Sequence, residues 1–338
     1  MSQEPTLPED PLGRFREIYD ALNAERRWWG DPSTLRFAAV SAITCPGDAA
    51  SVAAAIRRMG DDIKAESGWF GPLNTNLRFI VGAMLLLHGD SAADFLTEVK
   101  RVRELFRDAD LRRAGIYETM AILILRIQAE KRPVNVEAVT RFRAIYEEMK
   151  HHHWWLTGPD DFPACAILTG QQAEPVQIGR DIEAIYQALR DQDFSRGDPL
   201  QTAANILYLS RLSPEEIALR YGGLAAGFKN AGVSIWQSDY DELAILSFLD
   251  HPPGRIVEHV LRHREVMESL KPKPDRSLTF NLAASTTFLE LVRLDADLKT
   301  VTDAKALLDM QAIINAQQAA VIAATSSAVA ASTAAGAG

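Results

Sequence analysis

The feature that most constrains this chain is an internal repeat of about 80 residues, because a unit that recurs along a sequence packs against copies of itself. Val52, Ile56, Met59 and Ile63 are spaced +4, +3, +4. So are Ala138, Phe142, Ile145 and Met149, and Ile217, Tyr221, Leu224 and Phe228. That spacing lines one face of an α-helix. Each set is followed at once by a lysine (Lys64, Lys150, Lys229) and then by a loop carrying tryptophan: Trp69, Trp154 with Trp155, and Trp236.

A second helix is expected to open at Asn76, Asp161 and Asp241, where a short side-chain oxygen suits the N-cap. It runs through apolar stretches such as Phe79 to Leu87 and Leu243 to Leu249. The third helix carries Phe95, Val99, Val102 and Phe106 in one copy and Ile178, Ile182, Ile185 and Leu189 in the next. The longest match joins Arg107-Asp108-Ala109-Asp110-Leu111 to Arg190-Asp191-Gln192-Asp193-Phe194. It continues without a gap to Ala121 and Ala204 in the fourth helix, where Ala203-Ala204 answers Ala283-Ala284.

Pro133 with Asn135 as a cap separates the first two copies. Ser213-Pro214-Glu215-Glu216, with Ser at the N-cap, Pro at N1 and Glu at N3, separates the second and third. No strand pattern of comparable strength occurs. The fold is therefore expected to be all-α: an α-solenoid-like array of three four-helix units, residues 48–132, 133–212 and 213–294, behind an N-terminal helical cap in 1–47. Residues 295–338 are expected to form a C-terminal helix and an Ala-rich tail that frays beyond about Ala324.

Composition bounds the function classes. The net charge of −9 and the absence of any Lys/Arg run longer than two leave no phosphate-neutralising surface, so nucleic acid is not expected as a partner. Cys45 and Cys165 stand far apart without CxxC spacing, which fits a reducing cytoplasm and no thiolate metal site. The acidic, Pro-bearing N-terminus lacks a signal-peptide pattern, and Phe79 to Leu87 is about half the ~20 residues a membrane span needs.

The segment Trp154-Trp155-Leu156-Thr157-Gly158-Pro159-Asp160-Asp161-Phe162-Pro163, the recurring Ala-Ala helix and the Gln/Ala-rich C-terminus resemble a bacterial family catalogued as domain of unknown function 4003. The resemblance implies a bacterial origin and supports the fold, and it supplies no catalytic residues.

Three groups of residues invite a chemical reading. His151, His152 and His153 with Asp160 and Asp161 combine imidazole and carboxylate as a transition metal would require. Three consecutive side chains fan apart, however, and histidines at a helix C-terminus are favoured by the dipole alone. Asp160 and Asp161 form a potential acid/base pair, against which stands the capping role suggested by Asn76 and Asp241. His259 and His263 are i, i+4 neighbours but not HExxH, because Val260 follows His259. One register places both histidines inward. The other, Ile256, Val260, His263 and Met267, places only His263 there, where a satisfied core histidine is the expectation. The Gly222 to Gly227 stretch reads as a close-packed helix, and the junction tryptophans read as core.

These residues lead to the expectation of a non-enzymatic helical-repeat protein that binds a protein or peptide along a concave face, with no cofactor. The alternative is a metal-binding protein or enzyme with a His/Asp-lined pocket between repeats.

Overall fold

A computed structural model describes residues 7–26, 32–67, 73–153 and 156–294. All regular structure in them is helical: α1 (Pro11–Ala24), α2 (Pro32–Ser41), α3 (Ala49–Ser67), α4 (Leu77–Leu87), α5 (Ala92–Asp108), α6 (Ile116–Gln128), α7 (Val136–His153), α8 (Phe162–Thr169), α9 (Pro175–Arg190), α10 (Asp198–Tyr208), α11 (Pro214–Asn230), α12 (Tyr240–Leu246), α13 (Pro253–Glu268) and α14 (Arg276–Leu294). Among the described residues two of these helices fall within 1–47 and four within each of 48–132, 133–212 and 213–294. The expected C-terminal helix and Ala-rich tail lie outside the described residues.

Odd and even helices differ in a way their sequences dictate. Odd helices bury a single stripe, such as Phe95, Val99, Val102 and Phe106 on α5, or Ile178, Ile182, Ile185 and Leu189 on α9, and turn charged residues to solvent. Even helices are buried nearly all round: Glu118 to Arg126 without a break on α6, and Leu278 to Leu289 on α14. A helix enclosed on every side belongs to an inner layer, and the Ala38-Ala39, Ala203-Ala204 and Ala283-Ala284 pairs, all buried, let its neighbours approach closely. Each odd helix packs on the even helix that follows it, α3 on α4 and α13 on α14 for example, while inner helices also meet one another, α2 with α4, α6 with α8 and α10 with α12.

The longest sequence match is a helix ending. Asp110 and Asp193 adopt φ of 55° and 65°. The amide of Leu111 then donates to Phe106 O, and that of Phe194 to Leu189 O, closing α5 and α9 by the same left-handed turn. Gly232, at φ 77°, does this for α11. The start signals hold as well. Asn135 Oδ1 accepts from the Ala138 amide at 2.9 Å, and Ser213 and Glu216 exchange bonds of 3.3 and 3.0 Å.

The array closes on itself. Besides α12 and α13, α14 packs against α1 and α2. Arg36 of α2, fully buried, donates to Pro272 O in the connection leading to α14, with its guanidinium 5.3 Å from the Tyr19 ring centroid. An open array leaves an apolar helix face uncovered at each end. Here the first pair and the last cover each other, so the described helices form a ring rather than an array with two free ends. Among the described residues no single helix is long and apolar enough to cross a membrane.

Candidate functional site

Among the described residues the histidine run brings no set of metal ligands together. His151 is exposed, His152 is half-buried with its ring edge-on to that of His151, and the side chain of His153 lies outside the described residues. Among the described residues no group of three or more His, Cys, Asp or Glu side chains is placed to hold a metal ion.

On α13 the second register is the one adopted: Ile256, Val260, His263 and Met267 are buried, and His259 sits at the margin. His263 Nδ1 lies 2.9 Å from Thr287 Oγ1 and its Nε2 3.0 Å from Glu290 Oε2. His259 Nδ1 lies 3.1 Å from the same oxygen. Arg262 donates to both Glu290 oxygens at 2.9 and 2.8 Å. Burial pushes the His263 imidazole below its ordinary pKa against the pull of Glu290. Burial also pushes the Glu290 carboxyl up, but the His259 bond and the charges of His263 and Arg262 outweigh it and hold the group low. With its acceptor positions occupied by α13, Glu290 pins α13 to α14, which is a structural role.

Asp161 is different, and its expected role needs correcting. It does not cap α8 with its side chain, nor does Asn76 cap α4, and Asp241 lies inside α12 rather than ahead of it. Asp161 instead ends a 3-10 turn, Pro159–Asp161, and its Oδ2 reaches back to accept from the Gly158 amide at 2.9 Å. The true counterpart is Asp239, which ends the turn Gln237–Asp239 and accepts from the Trp236 amide at 2.9 Å. Asp161 and Asp241 resemble each other in sequence because both are acids near a helix start. The back-reaching bond depends on the preceding three-residue turn, which periodicity does not register.

The two turns share geometry but not electrostatics. Asp239, 0% exposed, receives a fork from Arg276 at the start of α14, with bonds of 3.1 and 2.9 Å. Arg276 follows Asp239 by 37 positions. The same interval from Asp161 reaches Asp198, at the start of α10. An acid therefore stands where the other turn has its guanidinium. Asp161, 9% exposed, is pushed up to about 7, first by burial, against the Gly158 bond, and then by the charges of Asp160 and Asp198. Asp198 is itself raised, by burial and then by Asp160, although both Asp160 and Asp198 keep exposed surface.

A polar stripe continues inward from Asp198. Gln201 and Asn205 follow at +3 and +7, on one face of α10. Gln201, 2% exposed, donates to Thr157 Oγ1 at 3.2 Å, which ties it to the segment that carries Asp161. Among the described residues its Oε1 has no partner, and neither amide atom of Asn205, 3% exposed, has one. Neither residue stands out in the sequence, because +3 and +4 steps of polar side chains on an apolar helix resemble a solvated face.

The junction tryptophans depart from the core reading where they are described. Trp236 is 59% exposed, with the Arg276 guanidinium 4.6 Å from its ring centroid. Trp69, Trp154 and Trp155 lie outside the described residues.

A family model described as "Protein of unknown function (DUF4003)" matches residues 18–319. The chain is also 26% identical over 277 residues to the uncharacterized protein YeaA of Bacillus subtilis (strain 168), covering 80% of each chain. No solved structure matches.

Proposed function

We propose that this chain, which belongs to the DUF4003 family of proteins of unknown function, is an acid/base hydrolase for a small polar molecule bound between the Pro159–Asp161 turn and α10. The observation that carries this is the exchange of a cation for acids: Asp239 has Arg276, whereas Asp161, ending the same kind of turn, has the charges of Asp160 and then Asp198 near it. A scaffold gains nothing from a buried acid without a cation, since an unpaired buried charge costs several kcal/mol. Catalysis does gain, because a carboxyl that titrates near neutrality holds a proton and can release it.

In the proposed step the Asp161 carboxyl gives its proton to the departing oxygen or nitrogen of the substrate. Ionised Asp198 takes a proton from the attacking water, whose hydroxide forms the new bond. Return of a proton from Asp198 to Asp161 through solvent closes the cycle. The ring favours this reading over a partner laid along a concave face, because closure of α14 on α1 and α2 turns the inner surface inward. Three four-helix units and a leading pair are the division we adopt for the chain, and two buried free thiols, Cys45 and Cys165, fit a cytoplasmic setting.

The test combines a carboxyl NMR titration with a panel of chromogenic ester, amide and glycoside substrates. Asp161 should titrate near neutrality, and Asp161→Asn and Asp198→Asn should each lower hydrolysis of the active substrate by ~10²–10⁴-fold at unchanged fold. An ordinary carboxylate midpoint for Asp161, together with an inert panel, overturns the reading.

A further inference from the structure

The stripe on α10 bears on what kind of molecule this site takes. Burying an amide without partners forfeits its hydrogen bonds to water, so native interiors seldom leave one that way. Asn205 leaves both its donor and its acceptor unused, two turns inward from Asp198, and Gln201 leaves an acceptor between them. Among the described residues no charged group bonds to these atoms, and the bond Gln201 makes to Thr157 ties its amide to the segment that carries Asp161. Two acceptors and a donor on one helix face complement a group that both donates and accepts and carries no charge.

We propose that Asn205 and Gln201 are the specificity-determining residues of this site and that they bind a neutral hydroxyl- or carboxamide-bearing part of the ligand, while Asp161 and Asp198 face the part that reacts. The proposal rests on the acid/base reading for its location, and it adds the substrate class. A pair of buried amides discriminates strongly, because a ligand lacking the matching group leaves them unpaired. A charged analogue seated at Asn205 would be buried two turns from Asp198, the charged end of the stripe, with no counter-charge beside it.

The experiment follows the side-chain amide resonances of Asn205 and Gln201 in the full-length protein. The probes are myo-inositol, N-acetylglucosamine and acetamide, with acetate and methylammonium as charged comparators. Saturable shifts of the Asn205 amide with at least one neutral probe are expected, with apparent Kd at least about tenfold tighter than for either charged comparator. Asn205→Leu, of similar volume, should keep the circular dichroism of the wild type and weaken that probe by at least about tenfold. Asn205→Gln, which keeps the amide, should retain part of the binding and guards against a variant that simply misfolds.

Tighter binding of acetate or methylammonium overturns the proposal, as does a wild type that no neutral probe shifts, or undiminished binding in Asn205→Leu. Asp161 is titrated in the same samples. A midpoint near neutrality alongside any of these negative results removes only the substrate class, whereas an ordinary midpoint removes the acid/base reading beneath it.

Discussion

Replacing Asp198 by arginine should convert the unusual turn into the ordinary one, and the structure fixes both the sign and the pH dependence of the result. Asp161 lies about three pKa units above its ordinary 3.8. At ~1.36 kcal/mol per unit this corresponds to ~4 kcal/mol. Because the folded state holds a proton that the unfolded chain has released, the wild type loses this stability as pH rises from about 4 to about 7, and loses no more above that. An arginine at the start of α10 would face Asp161 as Arg276 faces Asp239, and a neighbouring guanidinium lowers an aspartate by ~1–3 units. Asp198→Arg should therefore recover ~1–4 kcal/mol at pH 8 and little at pH 5, where the folded wild-type group is still protonated. A cation in the first turn opposes the helix dipole by ~0.3–1 kcal/mol at either pH. The net effect is stabilisation at pH 8 and near neutrality or slight loss at pH 5. Urea unfolding at the two pH values measures it. An equal gain at both, or none at pH 8, would refute the claim that Asp161 and Asp198 oppose each other in the native ring.

Other outcomes follow from contacts described here or adjoining them. Arg126 and Asp90, with side chains 8% and 6% exposed, form a buried pair between the end of α6 and the turn after α4. Arg126→Met should cost ~3–5 kcal/mol in chemical denaturation, whereas Arg107→Ala, on the exposed face of α5, should stay within ~0.5 kcal/mol. Phe142 stacks on Phe106 at 4.9 Å and meets Phe162 edge-on at 5.2 Å, so Phe142→Ala should cost ~3–5 kcal/mol by the same assay. Asp193→Gly relieves a left-handed residue and should raise stability by up to ~1 kcal/mol, while Gly232→Val should lower it by at least that. Because burial lowers the His263 pKa, stability should fall as pH drops through the histidine's ordinary range toward that lower value. His263→Gln should flatten that part of the pH profile.

Much of the fold is legible in the sequence because helix burial is periodic. Ile217, Tyr221, Leu224 and Phe228 are buried at the spacing that identifies them, and Ser213 with Glu216 begins α11 as a Ser-Pro-Glu-Glu string should. The closing of the ring leaves no such trace, since Arg36 looks like a surface residue until Pro272 O is seen beside it. The site is less legible still. Asp161 stands out in sequence, yet its chemistry depends on the identity of residue 198, one helical hairpin away, and on which turn is its counterpart. Asn205 carries no local signal, because an isolated Asn in a helix says nothing about what its amide meets.

Ring closure also bears on how the chain reaches its native state and how it can change through evolution. In an open repeat array the units melt and form one after another, and adding or deleting a unit only alters the length. Here the Arg36 contact with Pro272 spans 236 positions, so the last helices must find the first ones across more than two thirds of the chain. Contacts of such separation slow folding and bind its end steps into one cooperative event. Removing either terminal pair would expose apolar surface on the other. A duplication of one hairpin would have to be absorbed by the curvature of every remaining pair, so the number of hairpins is a fixed property of the ring.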